Sequence, residues 1–599
     1  MNSPTDLQLD KISCAIPYAV IPTLDLIKDR FFDGIYLTPD IFVNKKIKGT
    51  GVGGLAVVAH SILSELEENF ERHQKSMLAF GFYCPYGYVR QRYVDGKVEN
   101  WYEKDKNPQA TIDTGYRAKI KINGDECLVA LRMPCDADRK HTAIGLLTTD
   151  IDGNPEWMRL ITRTMYGEGH ATEYFSQEEP KRPWHDINWM RMLQAMILGM
   201  APYIIVKELG IKYDYVHLND THSALFLVRT YGEKRAEGMG HDEALHSCWR
   251  KARFTCHTLC EQANRTYPIC DIAKIGQNYP GFDEETLRLL AGDQTYFRMV
   301  QVVLKLVGPY HANCVSKDHA ILAEQVFGGY KFFPITNGVH VSDTENSYVH
   351  PALRGIVKAK EIPEAKAEMK RLILAELMKR AREAGWKGTP IQLIPFLESV
   401  FIVWARRVQD YKRKGLICHP SQFGLFEGLL KNGFISFGHG GLTHGDDKVM
   451  LEEWNRQLHL LARLPLTIPI FNYDFELIQQ LLKAAAQIWL NNPWYGWEAC
   501  GTSFMSAMLN FALVLTMADG GALEAEHVVT FGSTKGGDFW PQFDSDARDL
   551  MIALVPQIIK LRENDEATLE FLLEARNEAA EKFSSRTMVD KYCELLWVP

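Results

Sequence analysis

Short apolar runs alternate with longer amphipathic stretches along the first half of this chain. The apolar runs at residues 18–21, 76–80, 213–217, 252–255 and 312–315 are typical of buried parallel strands. The amphipathic stretches at residues 55–68, 189–209 and 283–307 predict helices. An antiparallel insertion is expected at residues 85–135, where Asp95 and Gly96 form a turn between two alternating runs. This half therefore predicts a doubly wound α/β sheet.

A second α/β series follows residues 335–340. It opens with a polar helix at residues 365–385, continues with strands at residues 401–405, 433–437, 468–471 and 488–490, and ends in helix. Two such halves with a hinge near residues 335–400 predict the GT-B architecture, in which two Rossmann-like domains face each other across a cleft. We expect domains at residues 1–345 and 346–570, with the helices of residues 571–599 crossing back to the first. The cleft is the expected site, because ligands of such sheets bind at the carboxyl ends of strands.

The charge balance of the 599-residue chain is acidic, with 67 Lys and Arg against 75 Asp and Glu and a net charge of −8. We expect no nucleic-acid partner, because no basic excess is available to neutralise phosphates. The twelve cysteines form no C-x-x-C pair, so reduced thiols are the simplest interpretation. Cys256 and Cys260 flank His257, but no second ligand pair follows at a spacing typical of zinc sites, and no metal is expected.

The first residues lack the basic and apolar segments of a secretory signal. The longest apolar stretch, at residues 192–206, is shorter than a membrane span. We therefore expect a soluble cytoplasmic protein that does not bind membranes.

A glycine-rich segment at residues 49–61, G-T-G-V-G-G-L-A-V-V-A-H-S, opens the first predicted helix. Backbone N–H groups at Gly53 and Gly54 would approach an anion closely, and the helix dipole would favour it. A tight turn that serves packing alone explains the glycines equally well.

Polar residues also follow two predicted strands, in H-L-N-D-T-H-S-A (residues 217–224) and F-T-C-H-T-L (residues 254–259). Asn219, Asp220 and His222 could fix sugar hydroxyls by paired donors and acceptors, or could cap a helix. A lone histidine after a strand, such as His257, is by itself more often a structural hydrogen-bonding residue.

A basic run, W-A-R-R-V-Q-D-Y-K-R-K at residues 404–414, follows a predicted strand of the second half. Arg407 and Lys412 are five residues apart, so a loop between them lets both reach one dianion. The alternative is a solvated charged face.

Residues 497–506, W-E-A-C-G-T-S-F-M-S, resemble the signature E-A-(S/C)-G-T-(G/S)-x-M-K of the α-glucan phosphorylases. The glycine-rich turn, L-N-D-T-H, T-x-H-T, I-T-N-G-V-H (residues 335–340) and Y-K-R are similar to motifs of the same family. W-L-N-N-P at residues 489–493 resembles its short archaeal and bacterial branch. These collinear motifs span about residues 50–525. The resemblance implies a GT-B fold with the acceptor side in residues 1–345 and the donor and phosphate side in residues 346–570.

The resemblance also implies roles for individual residues. The implied catalytic residues are His257, Arg407, Lys412 and Glu498. Donor phosphate is expected at Gly53, Gly54, Arg407, Lys412, Gly501 and Thr502. Sugar hydroxyls are expected at Asn219, Asp220, His222, His257, Asn337 and Glu498, and Gly338 is expected to adopt a positive φ.

The departures from the family pattern concern its cofactor. The signature's last lysine binds pyridoxal phosphate as an imine, and this position is Ser506. A hydroxyl cannot form an imine, so we expect no covalent cofactor and do not expect pyridoxal phosphate to be bound. Phe504 replaces a small residue and could fill the vacated volume. Residues 438–446, G-H-G-G-L-T-H-G-D, also differ from the family loop that surrounds the cofactor phosphate.

Three functions are compatible with this pattern. The first is a retaining glycosyltransferase that moves a hexose, glucose in the simplest case, from a nucleotide sugar to a glucan or another acceptor. The second is an α-glucan phosphorylase that uses free phosphate or non-covalent pyridoxal phosphate. The third is a catalytically silent homologue that binds glucan or regulates a partner. The expected ligands are a sugar nucleotide or sugar phosphate and an oligosaccharide, and a homodimer is compatible with the family.

Overall fold

Two β-sheets, each covered by helices, form the framework of the protein. The computed structural model describes residues 23–43, 47, 49–51, 53–135, 139–167, 187–259, 264–342, 347–388, 391–472, 474, 476–534 and 538–598. The predicted strand at residues 18–21 lies outside the described residues. Within them, the α/β class expected from the sequence is confirmed.

The first sheet has nine strands in the order β13-β12-β9-β8-β1-β2-β7-β6-β5. Its strands are β1 (Phe31–Leu37), β2 (Met77–Phe82), β5 (Thr111–Ile122), β6 (Asp125–Pro134), β7 (Thr142–Thr148), β8 (Lys212–Asn219), β9 (Ala252–Cys256), β12 (Ala312–Cys314) and β13 (Phe332–Pro334). All pairs from β13 to β7 are parallel, and β5 and β6 extend the sheet as antiparallel strands.

The second sheet has six parallel strands in the order β16-β15-β14-β17-β18-β19. They are β14 (Val400–Ala405), β15 (Ile435–Gly440), β16 (Thr467–Ile470), β17 (Ile488–Asn491), β18 (Leu513–Met517) and β19 (Val529–Phe531). Two short antiparallel pairs complete the strands: β3 (Arg90–Val94) with β4 (Lys97–Trp101), and β10 (Thr266–Pro268) with β11 (Tyr296–Arg298).

The described α-helices cover both sheets, and their buried faces supply two large apolar cores. They are α1 (Gly54–Glu68), α2 (Phe70–His73), α3 (Glu156–Arg159), α4 (Ile187–Glu208), α5 (Ala224–Ala236), α6 (His241–Lys251), α7 (Ile269–Gly276), α8 (Glu284–Ala291), α9 (Met299–Val307), α10 (Lys317–Val326), α11 (Ile362–Glu383), α12 (Leu393–Glu398), α13 (Pro420–Lys431), α14 (Lys448–Leu461), α15 (Leu482–Ala485), α16 (Thr502–Leu509), α17 (Phe539–Glu563), α18 (Glu566–Lys582) and α19 (Ser585–Leu595).

Each sheet reverses its winding direction at one point. In the first sheet the chain places β2 beside β1, forms β5 at the far edge and comes back through β6 to β7 beside β2, and then places β8 on the other side of β1. In the second it builds from β14 to β16 and then places β17 on the other side of β14. The carboxyl ends of neighbouring strands diverge at such a switch point and leave a crevice, so β1/β8 and β14/β17 are the expected ligand positions.

Two local predictions have clear outcomes. The hairpin is confirmed: β3 and β4 pair through Asp95 and Gly96, which both have positive φ as a tight hairpin turn requires. The single helix predicted at residues 283–307 is wrong. It is divided into α8, β11 and α9, because Gly292 ends α8 in the left-handed conformation at φ 64°.

The end of the chain packs on the first sheet. Helix α19 contacts α1, and the backbone of Val339 forms a bridge with Ser584. Arg253, which is buried, donates to the carbonyl oxygens of Leu596 at 2.6 Å and Val598 at 2.9 Å. Because Arg253 belongs to β9, these contacts join the last residues to a central strand.

One helix, over Asn188–Glu208, is long and apolar enough to cross a membrane by length and composition. However, 78% of its apolar window is buried inside the protein. Such burial is typical of a core helix.

Candidate active site

Direct hydrogen bonds join segments that follow the carboxyl ends of strands in the two sheets. Ser316, which follows β12, donates to the carbonyl oxygen of Ala499 at 2.7 Å. Asn337 donates to the carbonyl oxygen of Cys500 at 3.1 Å. A cavity of about 380 Å³ lies beside these contacts, and residues from both halves line it, including Thr258, His319, Trp497, Glu498 and Asp519.

The glycine-rich turn after β1 contains glycines of two kinds. A Cβ atom on Gly49 would lie 2.4 Å from the Cys84 carbonyl oxygen, and one on Gly51 would lie 2.7 Å from the Phe42 nitrogen, so these two serve packing. A Cβ on Gly53 would meet nothing closer than 3.8 Å, and one on Gly54 would meet nothing within 4 Å. The start of α1 is therefore open, as an anion site at Gly53 and Gly54 requires, although the Gly53 N–H already donates to a carboxylate.

Asp40 and Tyr166 lie against this open turn, and the sequence analysis did not identify them. The Gly53 N–H donates to Asp40 Oδ2 at 3.4 Å, and the Tyr166 hydroxyl donates to the same oxygen at 2.7 Å. Burial, with Asp40 nearby, raises the pKa of Tyr166 well above its usual value, and the charge of Arg407 opposes that rise. The charge of Arg407, in the loop after β14, therefore bears on a residue beside the turn of the first sheet.

Asn219 and His257 meet at the switch point of the first sheet. Asn219 donates to Thr38 Oγ1 at 3.1 Å across β1 and β8, and the Nε2 of His257 lies 2.6 Å from Asn219 Oδ1. Burial lowers the pKa of His257 to about 3, so the ring is neutral near pH 7. Because the amide oxygen can only accept, Nε2 carries the hydrogen and Nδ1 is left as an acceptor.

Asp220 and His222 lie in the loop that follows. Asp220 has φ 68° and ψ −176°, a backbone region that is almost restricted to glycine. Strain of this kind is concentrated at functional sites. Burial raises the pKa of Asp220 to about 7, and burial lowers that of His222 to about 3. Asp220 also accepts from the Thr221 N–H at 2.9 Å, so part of its role is to cap the turn, as the alternative interpretation predicted.

The switch point of the second sheet carries a charged cluster of Arg406, Lys412 and Glu498. Arg406 follows β14 and donates to Asn491 at the end of β17 and, at 2.5 Å, to Glu498 Oε1. Lys412 lies 3.4 Å from the same oxygen. Burial would raise the pKa of Glu498, but the two cations hold it below its usual value. Burial and the nearby Arg406 lower the pKa of Lys412 to about 7.

The charge of Arg407 bears on residues of both halves, including Lys412 of this cluster. It acts on the pKa of Tyr166, Arg191 and His444, as well as on that of Lys412. Arg191 is held by His444 Nε2 at 3.2 Å and by the Tyr166 carbonyl oxygen at 3.0 Å. Arg191 and Arg406 therefore add cations that the spacing of Arg407 and Lys412 did not predict.

Asn337 and Gly338 connect the halves. The Asn337 amide binds Cys500, as described above, and its Oδ1 is buried without a partner among the described residues. The prediction of a positive φ at Gly338 is wrong. This glycine is required for close approach instead, because a Cβ there would lie 2.2 Å from the Ser584 carbonyl oxygen.

The signature segment forms the turn into α16. Gly501 precedes this helix, and a Cβ on it would lie 2.2 Å from Glu498 Oε1, so the glycine allows Glu498 to fold back onto the helix start. Thr502 is the first helical residue and is buried. Gly501 thus lies next to Arg406, with a Cβ position 3.6 Å from the Arg406 guanidinium, and Thr502 follows it at the helix start.

Ser506, in the middle of α16, binds the amine of a different lysine. Lys483 Nζ lies 2.5 Å from Ser506 Oγ, and both residues are fully buried. Burial, followed by the charge of Arg406, lowers the pKa of Lys483 well below its usual value. Phe504 packs edge-on against Phe583 at a centroid distance of 5.3 Å. Residues two apart on a helix point in nearly opposite directions, so Phe504 does not fill the space beside Ser506.

The altered segment at residues 438–446 is a packing element. A Cβ on Gly440 would lie 2.3 Å from the Ile470 carbonyl oxygen, and Gly441 has φ 156° with its Cβ position against the Arg406 carbonyl oxygen. His439 is buried between Phe437 and Trp454. The glycines allow the strand to approach the backbone of the basic loop.

Comparison with known proteins agrees with the motifs. No protein-family model matches the chain. It is 25% identical to a glycogen phosphorylase of Aquifex aeolicus over 90% of this chain and 82% of that protein. It is 24% identical to a maltodextrin phosphorylase of Thermococcus litoralis over 86% of this chain and 65% of that protein. An uncharacterized protein of Methanocaldococcus jannaschii is 23% identical over 94% of this chain and 99% of its own length. The chain resembles the glucan phosphorylases over most of its length, which confirms the resemblance carried by the motifs.

Proposed function

We propose that the protein is a retaining glycosyltransferase with GT-B organisation that transfers a hexose, glucose in the simplest case, between an α-glucan and a phosphate-bearing partner. The observation that carries this proposal is the convergence of Arg406, Lys412 and Glu498 at one switch point, with Arg407 next to Arg406 in the same basic loop. Fixed cations at the crevice of a parallel sheet are suited to a departing phosphate or diphosphate.

The cations would act on the leaving group. In the transfer, the bond between the anomeric carbon and a phosphate oxygen breaks, and the oxygen keeps the electron pair. Arg407 and Lys412 would stabilise the resulting negative charge, each through charge-assisted hydrogen bonds worth about 1.5–3 kcal/mol. In this structure the Glu498 carboxylate already forms ion pairs with Arg406 and Lys412. A ligand anion at Lys412 would therefore compete with the Glu498 carboxylate or turn it toward a sugar hydroxyl.

The residues at the first switch point would orient the sugar and the acceptor. Asn219 fixes the neutral ring of His257, whose Nδ1 can accept from a hydroxyl. The backbone after β9 would lie near the anomeric carbon, where its carbonyl oxygen stabilises the positive charge that develops as the leaving group departs. The acceptor hydroxyl then attacks from the face that the phosphate leaves and gives its proton to the phosphate oxygen, so the configuration is retained.

We propose that this chemistry proceeds without pyridoxal phosphate attached at position 506. The residues present do not fit that attachment, because Ser506 has no amine and its hydroxyl accepts from Lys483 inside a fully buried part of the protein. A pyridoxal ring beside Ser506 would have to displace packed side chains. In its place, the phosphate-bearing partner itself would supply the charge near Arg406 and Lys412.

Two classes of sugar donor fit the cluster of Arg406, Arg407 and Lys412, and a different observation favours each. A nucleotide sugar is favoured by the loss of the lysine at 506, because its distal phosphate would take the position left without a cofactor phosphate. A sugar 1-phosphate, formed or consumed with free phosphate, is favoured by the similarity to glycogen and maltodextrin phosphorylases. Both use the same cation cluster.

Binding and turnover with a donor panel test the proposal. Thermal shift would be measured with UDP-, ADP- and GDP-glucose, with glucose 1-phosphate and with inorganic phosphate. A donor at a hundredfold excess over its Kd should stabilise the protein by about 2.7 kcal/mol. Glucosyl transfer to a maltooligosaccharide from the stabilising donor, with retained α-configuration, is the expected result. Stabilisation by none of these compounds would favour a silent glucan-binding homologue.

A further inference from the structure

Three buried side chains at the carboxyl edge of the first sheet form a cluster of metal-ligand type. Cys256 ends β9, Cys314 ends the neighbouring strand β12, and the two residues are direct partners in the parallel register. His319 lies in the first turn of α10, just after β12. The ligand atoms of the three residues all lie within 4.8 Å of one another.

His319 is held in place by its backbone, while its ring has no described partner. Ser316 caps α10 by accepting from the His319 N–H at 3.2 Å, and its hydroxyl donates to Ala499. The side chain is only 3% exposed, yet neither ring nitrogen has a hydrogen-bond partner in the described part of the chain. A buried imidazole with both nitrogens unsatisfied is costly unless another group binds one of them.

We propose that Cys256, Cys314 and His319 bind a zinc ion. Two thiolates and one imidazole are a preferred ligand set for zinc, and a set of three leaves the fourth tetrahedral position for water or substrate. His319 also lines the cavity between the two halves, whereas Cys256 and Cys314 are fully buried behind it. The metal would join β9, β12 and α10 at the edge of the cleft. Metal binding here does not depend on the proposed glycosyl transfer, and it differs from the expectation that no metal is bound.

The three proposed ligands are far apart along the chain, so the sequence alone did not indicate this metal site. Cys256 was considered with Cys260 and His257, its neighbours along the chain. Cys260 lies outside the described residues, and His257 is engaged with Asn219. The cluster instead combines residues 58 and 63 positions after Cys256, which only the pairing of β9 with β12 brings together.

Cobalt substitution of the full chain tests the proposal. The protein would be stripped with a chelator under reducing conditions and titrated with Co²⁺, then with Zn²⁺. We expect one Co²⁺ per chain, a thiolate-to-cobalt charge-transfer absorption, intense tetrahedral d–d bands, and their loss when Zn²⁺ is added. Metal analysis of the protein purified without chelator should give one zinc per chain.

Matched variants assign the ligands. Cys256→Ser, Cys314→Ser and His319→Gln should each weaken Zn²⁺ binding by more than about tenfold, the lower limit for loss of an outer-shell partner alone. Cys248→Ser is the control, because Cys248 is equally buried but lies on α6, outside the cluster. Circular dichroism would verify folding of each variant. Absence of stoichiometric Co²⁺ binding by the unmodified chain, unchanged affinity in the three variants, or a Cys256–Cys314 disulfide in the protein as purified would overturn the proposal.

Discussion

The Nζ atom of Lys483 lies 2.5 Å from the Oγ atom of Ser506. Lys483 is the second residue of α15, which directly follows a π-helix at Glu476–Leu481. A π-helix accommodates an additional residue in the chain and is often found at functional sites. The position at which the phosphorylases have a reactive lysine thus keeps an amine beside it, but the amine comes from another helix.

Exchanging the side chains of Lys483 and Ser506 should show that their shared buried site accepts one amine and not two. Ser506→Lys alone would place a second amine against Lys483 and should destabilise the protein by more than about 2 kcal/mol. Lys483→Ser alone should also destabilise it, because Ser506 loses its partner. The double variant Ser506→Lys/Lys483→Ser restores a single amine and should recover stability, with a coupling energy of about 2 kcal/mol by urea unfolding. Additive effects of the two substitutions would contradict this interpretation.

The purified protein should contain no imine of pyridoxal phosphate. Ser506 cannot form one, and the Lys483 amine is bound to Ser506 in a fully buried site. We therefore expect no aldimine absorbance, no pyridoxal released by acid, and no labelled peptide after borohydride reduction in the presence of added pyridoxal phosphate. The informative opposite result is a label on Lys483, because burial and Arg406 lower the pKa of its amine, and a lowered pKa favours the neutral, nucleophilic form. Such a label would show that the imine has moved to α15.

Arg407→Ala should lower kcat/KM for the donor by two to three orders of magnitude, about the effect of removing one fixed donor at a developing charge. Arg407→Lys keeps the charge but loses the planar fork, so an intermediate loss is expected. Arg463→Ala is the matched control, because Arg463 is an exposed arginine of the same half of the chain. Steady-state kinetics would give kcat/KM for the donor in the three variants. Normal turnover in Arg407→Ala would show that the phosphate site lies elsewhere.

The sequence predicted the framework well for a physical reason. Buried parallel strands are continuous apolar runs, so β8, β9, β14 and β17 were found directly from hydrophobicity, and polar residues at their carboxyl ends indicated the cleft. Contacts between distant elements have no such local signal. The Lys483–Ser506 pair and the Cys256–Cys314 pair depend on which strands and helices become neighbours, and neither spacing nor composition encodes that.

Anion binding should weaken as the pH rises through about 7. Burial and Arg406 lower the pKa of Lys412 to about 7, so its charge is present below that pH and lost above it. Asp519, whose pKa burial raises to about 7, becomes negative over the same range and acts in the same direction. The Kd for sulfate, whose own charge is constant here, should rise by up to about tenfold per pH unit for each proton linked to binding. Calorimetry from pH 6 to 9 at fixed ionic strength would measure this.

Two variants separate the contributions to this pH dependence. Lys412→Arg carries a permanent charge and should flatten the profile. Asp519→Asn should remove only the part due to that carboxylate. A profile that is unchanged in Lys412→Arg would show that Lys412 does not bind the anion.

Gly338→Ala should loosen the attachment of the C-terminal helix to the first sheet. An added Cβ would lie 2.2 Å from the Ser584 carbonyl oxygen, just before α19, and the Val339–Ser584 bridge leaves little freedom to move. Overpacking of this kind costs about 1–3 kcal/mol. Gly355→Ala is the control, because a Cβ there meets nothing within 4 Å and its φ is not in the left-handed region. Hydrogen exchange should show faster exchange at α19 in Gly338→Ala only. Equal stability and equal exchange in the two variants would mean that the contact at Ser584 relaxes without cost, and that α19 is held by Arg253 and the apolar packing of Tyr592 and Trp597 alone.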